Sequence, residues 1–143
     1  MNQTTSARVC IKQRLRALGL RPTRQRVAIA RLLLDGGDRH LNAEDLLSEA
    51  RAAGICIAQT SIYNILRQFA RVGLVREVLV EPGRTWFDTR IGPHVHLYNE
   101  DSGEISDLEY DPESLGLLDD IDLPADVAVS DVSVVIRVST KDK

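Results

Sequence analysis

Glycines divide the first half of the chain into segments of helical length, at Gly19, Gly36-Gly37, Gly54 and Gly73. Glycine commonly ends a helix because it adopts the left-handed backbone conformation at low cost. Apolar residues recur at helical spacing between these stops. The pattern predicts four helices, over residues 9–18, 24–34, 43–54 and 58–72.

Two polar residues are placed to begin the second and third of these helices. Thr23 follows Pro22 and is a candidate N-cap, because its hydroxyl oxygen can accept a hydrogen bond from a free N–H group of the first turn. Asn42 holds the same position before the third helix, with Asp45 at the reciprocal capping position. Capping therefore supports both predicted helix starts.

The fourth predicted helix has two different faces. Ile62, Leu66 and Phe69 fall at helical spacing and are expected to pack inward. The other face carries polar or amphipathic side chains of the types that contact phosphates and base edges. These candidate DNA-binding residues are Gln59, Ser61, Tyr63, Asn64 and Arg67.

Two segments typical of strands, 75–81 and 84–88, follow the helices and meet at the turn pair Pro82-Gly83. Helices followed by a two-stranded hairpin give the element order of a winged helix-turn-helix. In that fold, the second helix of a pair can enter the major groove of DNA. A helical protein-interaction domain could show the same helix order, so the order alone leaves both interpretations open.

The remainder of the chain predicts a second, smaller unit. Residues 94–99 and 104–108 resemble strands, and 128–138 resembles a third because its apolar residues alternate from Val132 onward. The acidic segment between the second and third strands is expected to hold one short helix. A three-stranded sheet this small is expected to cover a face or edge with a partner, which favours a homodimer. A two-fold dimer also suits a palindromic double-stranded DNA operator.

These segments together predict an α+β chain. An N-terminal winged helix-turn-helix is followed by a small α/β dimerisation domain with a three-stranded sheet. The predicted divisions are a DNA-binding domain over 1–88, a hinge over 89–93, and a dimerisation and sensing domain over 94–143.

Charge is distributed unevenly along the chain, although the net charge is only −3. Residues 1–76 hold 13 Lys and Arg against 5 Asp and Glu, whereas residues 77–143 hold 5 against 16. A basic half joined to an acidic half indicates a nucleic-acid module attached to something else. The simpler alternative is that the solvent-exposed surfaces of the two halves happen to differ in charge, with no functional meaning.

No hydrophobic segment suggests export or membrane insertion. No apolar run approaches the roughly 18 residues of a membrane span, and the N-terminus lacks the long apolar segment of a signal peptide. We therefore expect a cytoplasmic protein without a membrane partner.

All three histidines of the chain are candidate metal ligands. His94 and His96 stand two apart on a predicted strand, so both imidazoles point from the same face. His40 lies in the predicted loop before the third helix, and Asp88 closes the predicted wing. Three histidines with one carboxylate suit zinc, ferrous iron or manganese. Ordinary surface or core histidines and a hydrolytic metal site are the alternatives, although the chain has no HExxH motif.

The two cysteines, Cys10 and Cys56, match no CxxC spacing and are expected to stay reduced. Cys56 stands between Ile55 and Ile57, and we expect it to be a buried apolar side chain. Cys10 is a weaker candidate as a thiol ligand.

Five segments, which together span much of the chain, carry a family resemblance: GLRPTRQRVAI, GDRHLNAEDLLSEA, TSIYNILRQFARVGLV, RTWFDT and HVHLYNEDSG. Through them the sequence resembles the ferric uptake regulator family over nearly its whole length. Within that family it is most similar to the iron response regulator branch of alphaproteobacteria, through GDRHLNAEDL, TWFDT and VSVVIRV. That resemblance implies a regulator of iron and haem homeostasis.

The resemblance also assigns ligands for a divalent metal. It places His40, Asp88, His94 and His96 on the family's regulatory metal site, which bridges the two domains. Asp107 stands where some members supply a further carboxylate.

For DNA, the resemblance places Arg21 near the minor groove and Arg26 at a phosphate-contacting position. Ser61 and Tyr63 match recognition-helix residues of the family. Asn64 stands where many relatives have arginine, which implies a different preferred operator.

The chain departs from the family at its other metal sites. Asn99 and Ser102 replace the first CxxC pair and no later pair exists, which excludes a structural Cys₄ zinc. Pro93 and Val95 replace ligands of another histidine-rich site, so one metal site per subunit is expected. Cys10 lacks the following proline of a haem motif, and this leaves His94 and His96 as the haem candidates.

The resemblance implies a mechanism in which a bound ligand fixes the angle between the two domains and so controls access of the recognition helices to DNA. In the iron response branch, haem releases the DNA. The alternative is an ordinary repressor that is activated by divalent iron, manganese or zinc.

Overall fold

The structure is a computed structural model, and it describes residues 11–92 and 94–141. The chain divides into two compact units, Met1–Ile91 and Gly92–Lys143. None of the described helices combines the length and the apolar character that crossing a membrane requires.

Four α-helices lie in the described part of the N-terminal unit. Residues 11–17 are helical and are labelled α1. The others are α2 (Arg24–Leu34), α3 (Ala43–Ala52) and α4 (Gln59–Arg71). The predicted bounds of the last three are confirmed to within two residues, whereas residues 9 and 10 of the first prediction lie outside the described residues.

The helices enclose a mainly aliphatic core, to which α4 contributes an aromatic side chain. Each helix contributes residues three or four positions apart, the spacing that places side chains on one helical face. Phe69 of α4 is fully buried. The principal core side chains are Ile11, Leu15, Ile29, Leu33, Leu46, Ala50, Ile62, Leu66 and Phe69.

Both predicted N-caps are present. The Thr23 hydroxyl accepts a hydrogen bond from the Arg26 backbone N–H at 3.2 Å, and the Asn42 side chain accepts one from the Asp45 N–H at 2.8 Å. Because the cap satisfies a donor that the helix itself leaves free, each start is fixed by local chemistry.

A three-stranded antiparallel sheet completes this unit. The strands β1 (His40–Leu41), β2 (Arg76–Glu81) and β3 (Arg84–Asp88) lie in the order β1-β3-β2. β2 and β3 form the predicted wing hairpin. The placement of His40 in a loop was wrong, because residues 40 and 41 pair with the end of β3 and form a strand of their own.

The C-terminal unit holds a second three-stranded sheet. Its strands are β4 (Val95–Asn99), β5 (Ile105–Leu108) and β6 (Val134–Val138). The order is β5-β4-β6, with β5 antiparallel and β6 parallel to β4. The short helix expected between the second and third strands is the 3-10 helix Pro112–Leu115.

Two expectations about single segments were wrong. The last strand covers Val134–Val138 only, so the predicted segment 128–133 is not part of it. Cys56 is exposed rather than buried, whereas the following Ile57 packs into the core. Cys10 lies outside the described residues.

The Asn42 cap gives a direct test of the α3 start. We expect Asn42→Ala to lower the free energy of unfolding by about 1 kcal/mol, because the Asp45 N–H loses its acceptor. Urea denaturation followed by circular dichroism measures the change. Ser48→Ala, at an exposed position inside the same helix, is the matched control and should not destabilise the protein. Equal midpoints for wild type and Asn42→Ala would contradict the capping role.

Candidate metal centre and nucleic-acid surface

Three potential metal ligands converge in the C-terminal unit. His94 precedes β4 and His96 lies within it, so the alternation of a strand places both imidazoles on one side. The antiparallel register then puts Asp107 of β5 opposite His96. Both histidines are almost completely buried. The hairpin between β4 and β5 therefore brings the carboxylate to the two imidazoles.

The ligand atoms of this triad lie close to one another. The Nε2 atoms of His94 and His96 are 2.9 Å apart. The Oδ1 atom of Asp107 lies 3.1 Å from the Nε2 of His94 and 3.9 Å from that of His96. Ligand atoms bound about 2.0–2.2 Å from a first-row divalent ion stand roughly 3.0–3.5 Å from one another. Two of the three separations lie close to this range and the third, between Asp107 and His96, is wider, so the triad approximates the spacing that a small divalent cation requires.

The backbone fixes the tautomer of His94. Its Nδ1 atom lies 2.6 Å from the carbonyl oxygen of Gly92. A carbonyl can only accept, so Nδ1 carries the proton and donates. In the neutral ring the Nε2 lone pair is then directed toward the triad, which is the form of imidazole that binds metals.

A second pair of potential ligands lies in the N-terminal unit. The pairing of β1 with β3 sets His40 opposite Asp88, and the Nε2 of His40 is 3.1 Å from the Oδ2 of Asp88. The other carboxylate oxygen accepts a hydrogen bond from the Arg90 backbone N–H at 2.9 Å. Asp88 is fully buried. Imidazole and carboxylate are again donors that iron, manganese and zinc accept.

The exposed face of α4 carries the residues predicted to contact DNA. Gln59, Tyr63, Asn64 and Arg67 are exposed, and Ser61 is half-buried. The opposite face is buried in the core. The helix begins after Ala58 without a side-chain cap and has no acidic residue in its first turn. Its first N–H groups are therefore left without a side-chain acceptor, which favours phosphate binding.

Arg26, which the sequence places at a phosphate-contacting position, makes several contacts within the protein. Its Nε and Nη2 donate to the side-chain oxygen of Gln68 on α4, at 3.2 and 2.9 Å. Its Nη1 donates to the carbonyl of Arg21 at 2.9 Å. Arg21 itself is exposed. Arg26 thus connects α4 to the segment before α2. Its partner on α4, Gln68, is a residue that the sequence alone did not identify.

A winged helix-turn-helix followed by a small sheet that brings two buried histidines to an aspartate defines a class of metal-binding DNA-binding proteins. The model of the Ferric uptake regulator family matches residues 17–121. The chain therefore belongs to the ferric uptake regulator family.

Two curated relatives show the extent of the likeness. The ferric uptake regulation protein of Pseudomonas aeruginosa is 34% identical over 92 residues, which cover 64% of this chain and 69% of that protein. A peroxide-responsive repressor PerR of Staphylococcus aureus is 33% identical over 96 residues, which cover 67% of this chain and 64% of the repressor. The match thus spans about two thirds of these relatives.

Solved structures confirm the fold. The ferric uptake regulator of Pseudomonas aeruginosa with manganese superposes with a TM-score of 0.74 at 28% identity. The match covers 92% of this chain and 98% of that one. The predicted winged helix followed by a small unit with a three-stranded sheet is thereby confirmed.

The triad of the C-terminal unit can be tested by one substitution. We expect Asp107→Asn to weaken Mn²⁺ and Zn²⁺ binding at least about 10-fold, because the charged ligand next to His94 is replaced by a neutral amide. Competition against a chromophoric chelator measures the affinity. Glu104→Gln removes an exposed carboxylate from the same hairpin and serves as the control. If both variants bound metal equally well, the carboxylate of Asp107 would not be a ligand.

Proposed function

We propose that this chain is a sequence-specific transcriptional regulator of iron or haem homeostasis. In this proposal it binds a double-stranded DNA operator as a homodimer and has no catalytic role. One divalent ion per subunit, iron, manganese or zinc, sets its affinity for DNA. The observation that carries the proposal is the triad of the buried His94 and His96 with the half-buried Asp107, in a chain that also exposes the polar face of α4 on a winged helix. Such a regulator acts where DNA is, and we propose a cytoplasmic location.

We propose further that one ion draws ligands from both units. The triad supplies three donor atoms, fewer than the four to six that these metals take. His40 and Asp88 supply two more from the N-terminal unit. An ion bound by both sets would restrict how the units move relative to each other. It would change DNA affinity by its differential affinity for the arrangements that do and do not fit the operator.

The spacing of the histidines favours a divalent ion over haem. Two imidazoles on opposite faces of one haem iron have Nε2 atoms about 4 Å apart, given iron–nitrogen bonds of about 2 Å. The Nε2 atoms of His94 and His96 are 2.9 Å apart and approach the same carboxylate. Release by haem, as in the iron response branch, therefore requires only one of these histidines as ligand or a rearrangement of the pair.

The surface of the C-terminal unit supports the homodimer. Its acidic segment exposes a series of aliphatic side chains, each about half accessible. Monomeric proteins rarely leave such a series in water, whereas a self-complementary two-fold contact covers it. The exposed residues are Leu117, Leu118, Ile121, Leu123, Val127 and Val129.

One titration separates the two modes of regulation. Fluorescence anisotropy on a labelled palindromic iron-control operator is measured with chelator, with Mn²⁺ or anaerobic Fe²⁺, and with haem. We expect binding to require the divalent metal, because the triad fits a small ion. Loss of binding on adding haem alone would support the haem-released mode instead. DNA binding that neither metal nor haem changed would contradict the proposed function.

Tyr63 tests the recognition surface. We expect Tyr63→Ala to reduce operator affinity at least about 10-fold, because an exposed side chain in the N-terminal half of α4 is lost from the contact with bases. The same anisotropy assay measures the change, and size-exclusion chromatography checks that the dimer is intact. Arg51→Ala, an exposed residue in the last turn of α3, should bind as wild type. An unchanged operator affinity for Tyr63→Ala would place the recognition surface elsewhere.

A further inference from the structure

The backbone of Arg39 is joined to the strands that carry His40 and Asp88, the candidate ligand pair of the N-terminal unit. It directly precedes His40, while Thr89 directly follows Asp88. The Arg39 N–H donates to the Thr89 hydroxyl oxygen at 2.9 Å, and the Thr89 N–H donates to the Arg39 carbonyl at 3.1 Å. Arg39 and Thr89 thus extend the β1–β3 pairing by one position, so the Arg39 backbone is held to the same two strands as His40 and Asp88.

The side chain of Arg39 extends to the helices. Its guanidinium forms a two-pronged contact with the carboxylate of Glu49 on α3, with Nη1 3.0 Å from Oε2 and Nη2 bonded to Oε1. Nη1 also lies 3.4 Å from the carbonyl oxygen of Leu32 on α2. One residue therefore connects the pair of His40 and Asp88 to α2 and α3, the two helices that come directly before the recognition helix α4.

The contact between Arg39 and Glu49 has a defined geometry but is expected to contribute little to the stability of the fold. The side chains of Arg39 and Glu49 are 30% and 39% exposed, and ion pairs this accessible contribute little to the free energy of folding. A two-pronged arginine–carboxylate contact nevertheless fixes both distance and orientation, which a lysine cannot do. The contact is therefore suited to transmitting a displacement rather than to holding the core.

We propose that Arg39 is a positioning residue that transmits metal binding at His40 and Asp88 to the helix-turn-helix. This rests on the proposed function. When the ion binds, β1 and the end of β3 are held in one arrangement, and the Arg39 guanidinium carries that arrangement to Glu49. Helix α3 packs against α4, so the position of α3 bears on the orientation of the recognition helix.

The test separates metal affinity from its effect on DNA. Mn²⁺ binding to the full chain is followed by the fluorescence of Trp86, the single tryptophan, which lies two residues before Asp88. Operator affinity is measured by anisotropy with and without Mn²⁺. We expect the Mn²⁺ affinity of Arg39→Gln to lie within about 3-fold of wild type. Its operator affinity in the absence of metal should equal that of wild type. The increase in affinity caused by Mn²⁺ should fall at least about 5-fold, within the usual range of allosteric coupling.

Further variants identify the partner of Arg39. Glu49→Gln should reproduce the loss of coupling, and the double variant Arg39→Gln/Glu49→Gln should lose no more than either single variant, since one contact is removed in all three. Arg39→Lys keeps the charge and should still lose most of the coupling. If Arg39→Gln fails to fold, the Arg39→Lys variant takes its place in the coupling measurement. Arg51→Gln changes an arginine on α3, the helix that carries Glu49, and should keep full coupling.

Three outcomes would overturn the proposal, and they differ from one another. Full coupling in Arg39→Gln would show that the signal does not pass through this side chain. A large loss of Mn²⁺ affinity in Arg39→Gln would show that the residue only holds the ligands in place. Absence of any Mn²⁺ effect on DNA binding in wild type would overturn the proposed function itself, and the transmission role with it.

Discussion

The pairing of β1 with β3 is the interaction on which the N-terminal unit's ligand pair depends. Only two residues of β1 take part, yet the register places His40 opposite Asp88 and Leu41 opposite Phe87. Leu41 and Phe87 are almost completely buried, so this short strand is held by core packing rather than by the few hydrogen bonds it can form. The polar pair lies one position further along the same two strands, so hydrophobic packing sets the position of these candidate ligands.

Each group of ligands is oriented by its own unit. Asp88 is held by the Arg90 N–H, and His94 is held by the Gly92 carbonyl. Burying imidazoles and carboxylates is costly unless charge and hydrogen bonds compensate. Binding of a cation would supply that compensation and would stabilise the folded state by linkage, since the unfolded chain offers no such arrangement. The energetic cost of burying these groups is therefore consistent with a site built for an ion.

The sequence predicts the helices well because their start and stop signals are local. Thr23, Asn42 and the glycines act on neighbouring backbone groups, so no knowledge of the tertiary fold is required. Strand β1 could not be found in this way. Two residues have no periodicity, and their conformation is decided by a partner distant in sequence.

The other errors also have physical causes. Alternation continues back to Val132, but β6 begins only at Val134 because its partner Val95 is the first residue of β4. The length of a strand depends on its partner as well as on its own pattern. Cys56 was expected to be buried because isoleucines flank it. In an extended loop adjacent side chains point to opposite sides, so the burial of Ile57 favours the exposure of Cys56.

The candidate sites were predictable to different degrees. The spacing of His94 and His96 implies a common face, and the residue types also make His40 and Asp88 candidates. The resemblance places all four on one site and adds Asp107. The sequence could not give the register of the β4–β5 hairpin, which sets Asp107 opposite His96. It also gave no sign that Arg39 contacts Glu49, because a surface arginine and a surface glutamate ten positions apart have no pattern that distinguishes them from solvated charges.

The uneven distribution of charge means that the two units interact differently with DNA. Met1–Ile91 holds 15 Lys and Arg against 8 Asp and Glu, and Gly92–Lys143 holds 3 against 13. The phosphate backbone attracts the first unit and repels the second. If the chain binds DNA as proposed, its acidic C-terminal unit would limit nonspecific contact with DNA, and the affinity would depend on how the exposed face of α4 is oriented. Arg26 and Gln68 connect α4 to the segment before α2. In the proposed mechanism, a metal ion that shifts the neighbouring helices would therefore change the orientation of α4, and with it the affinity for DNA, without contacting DNA itself.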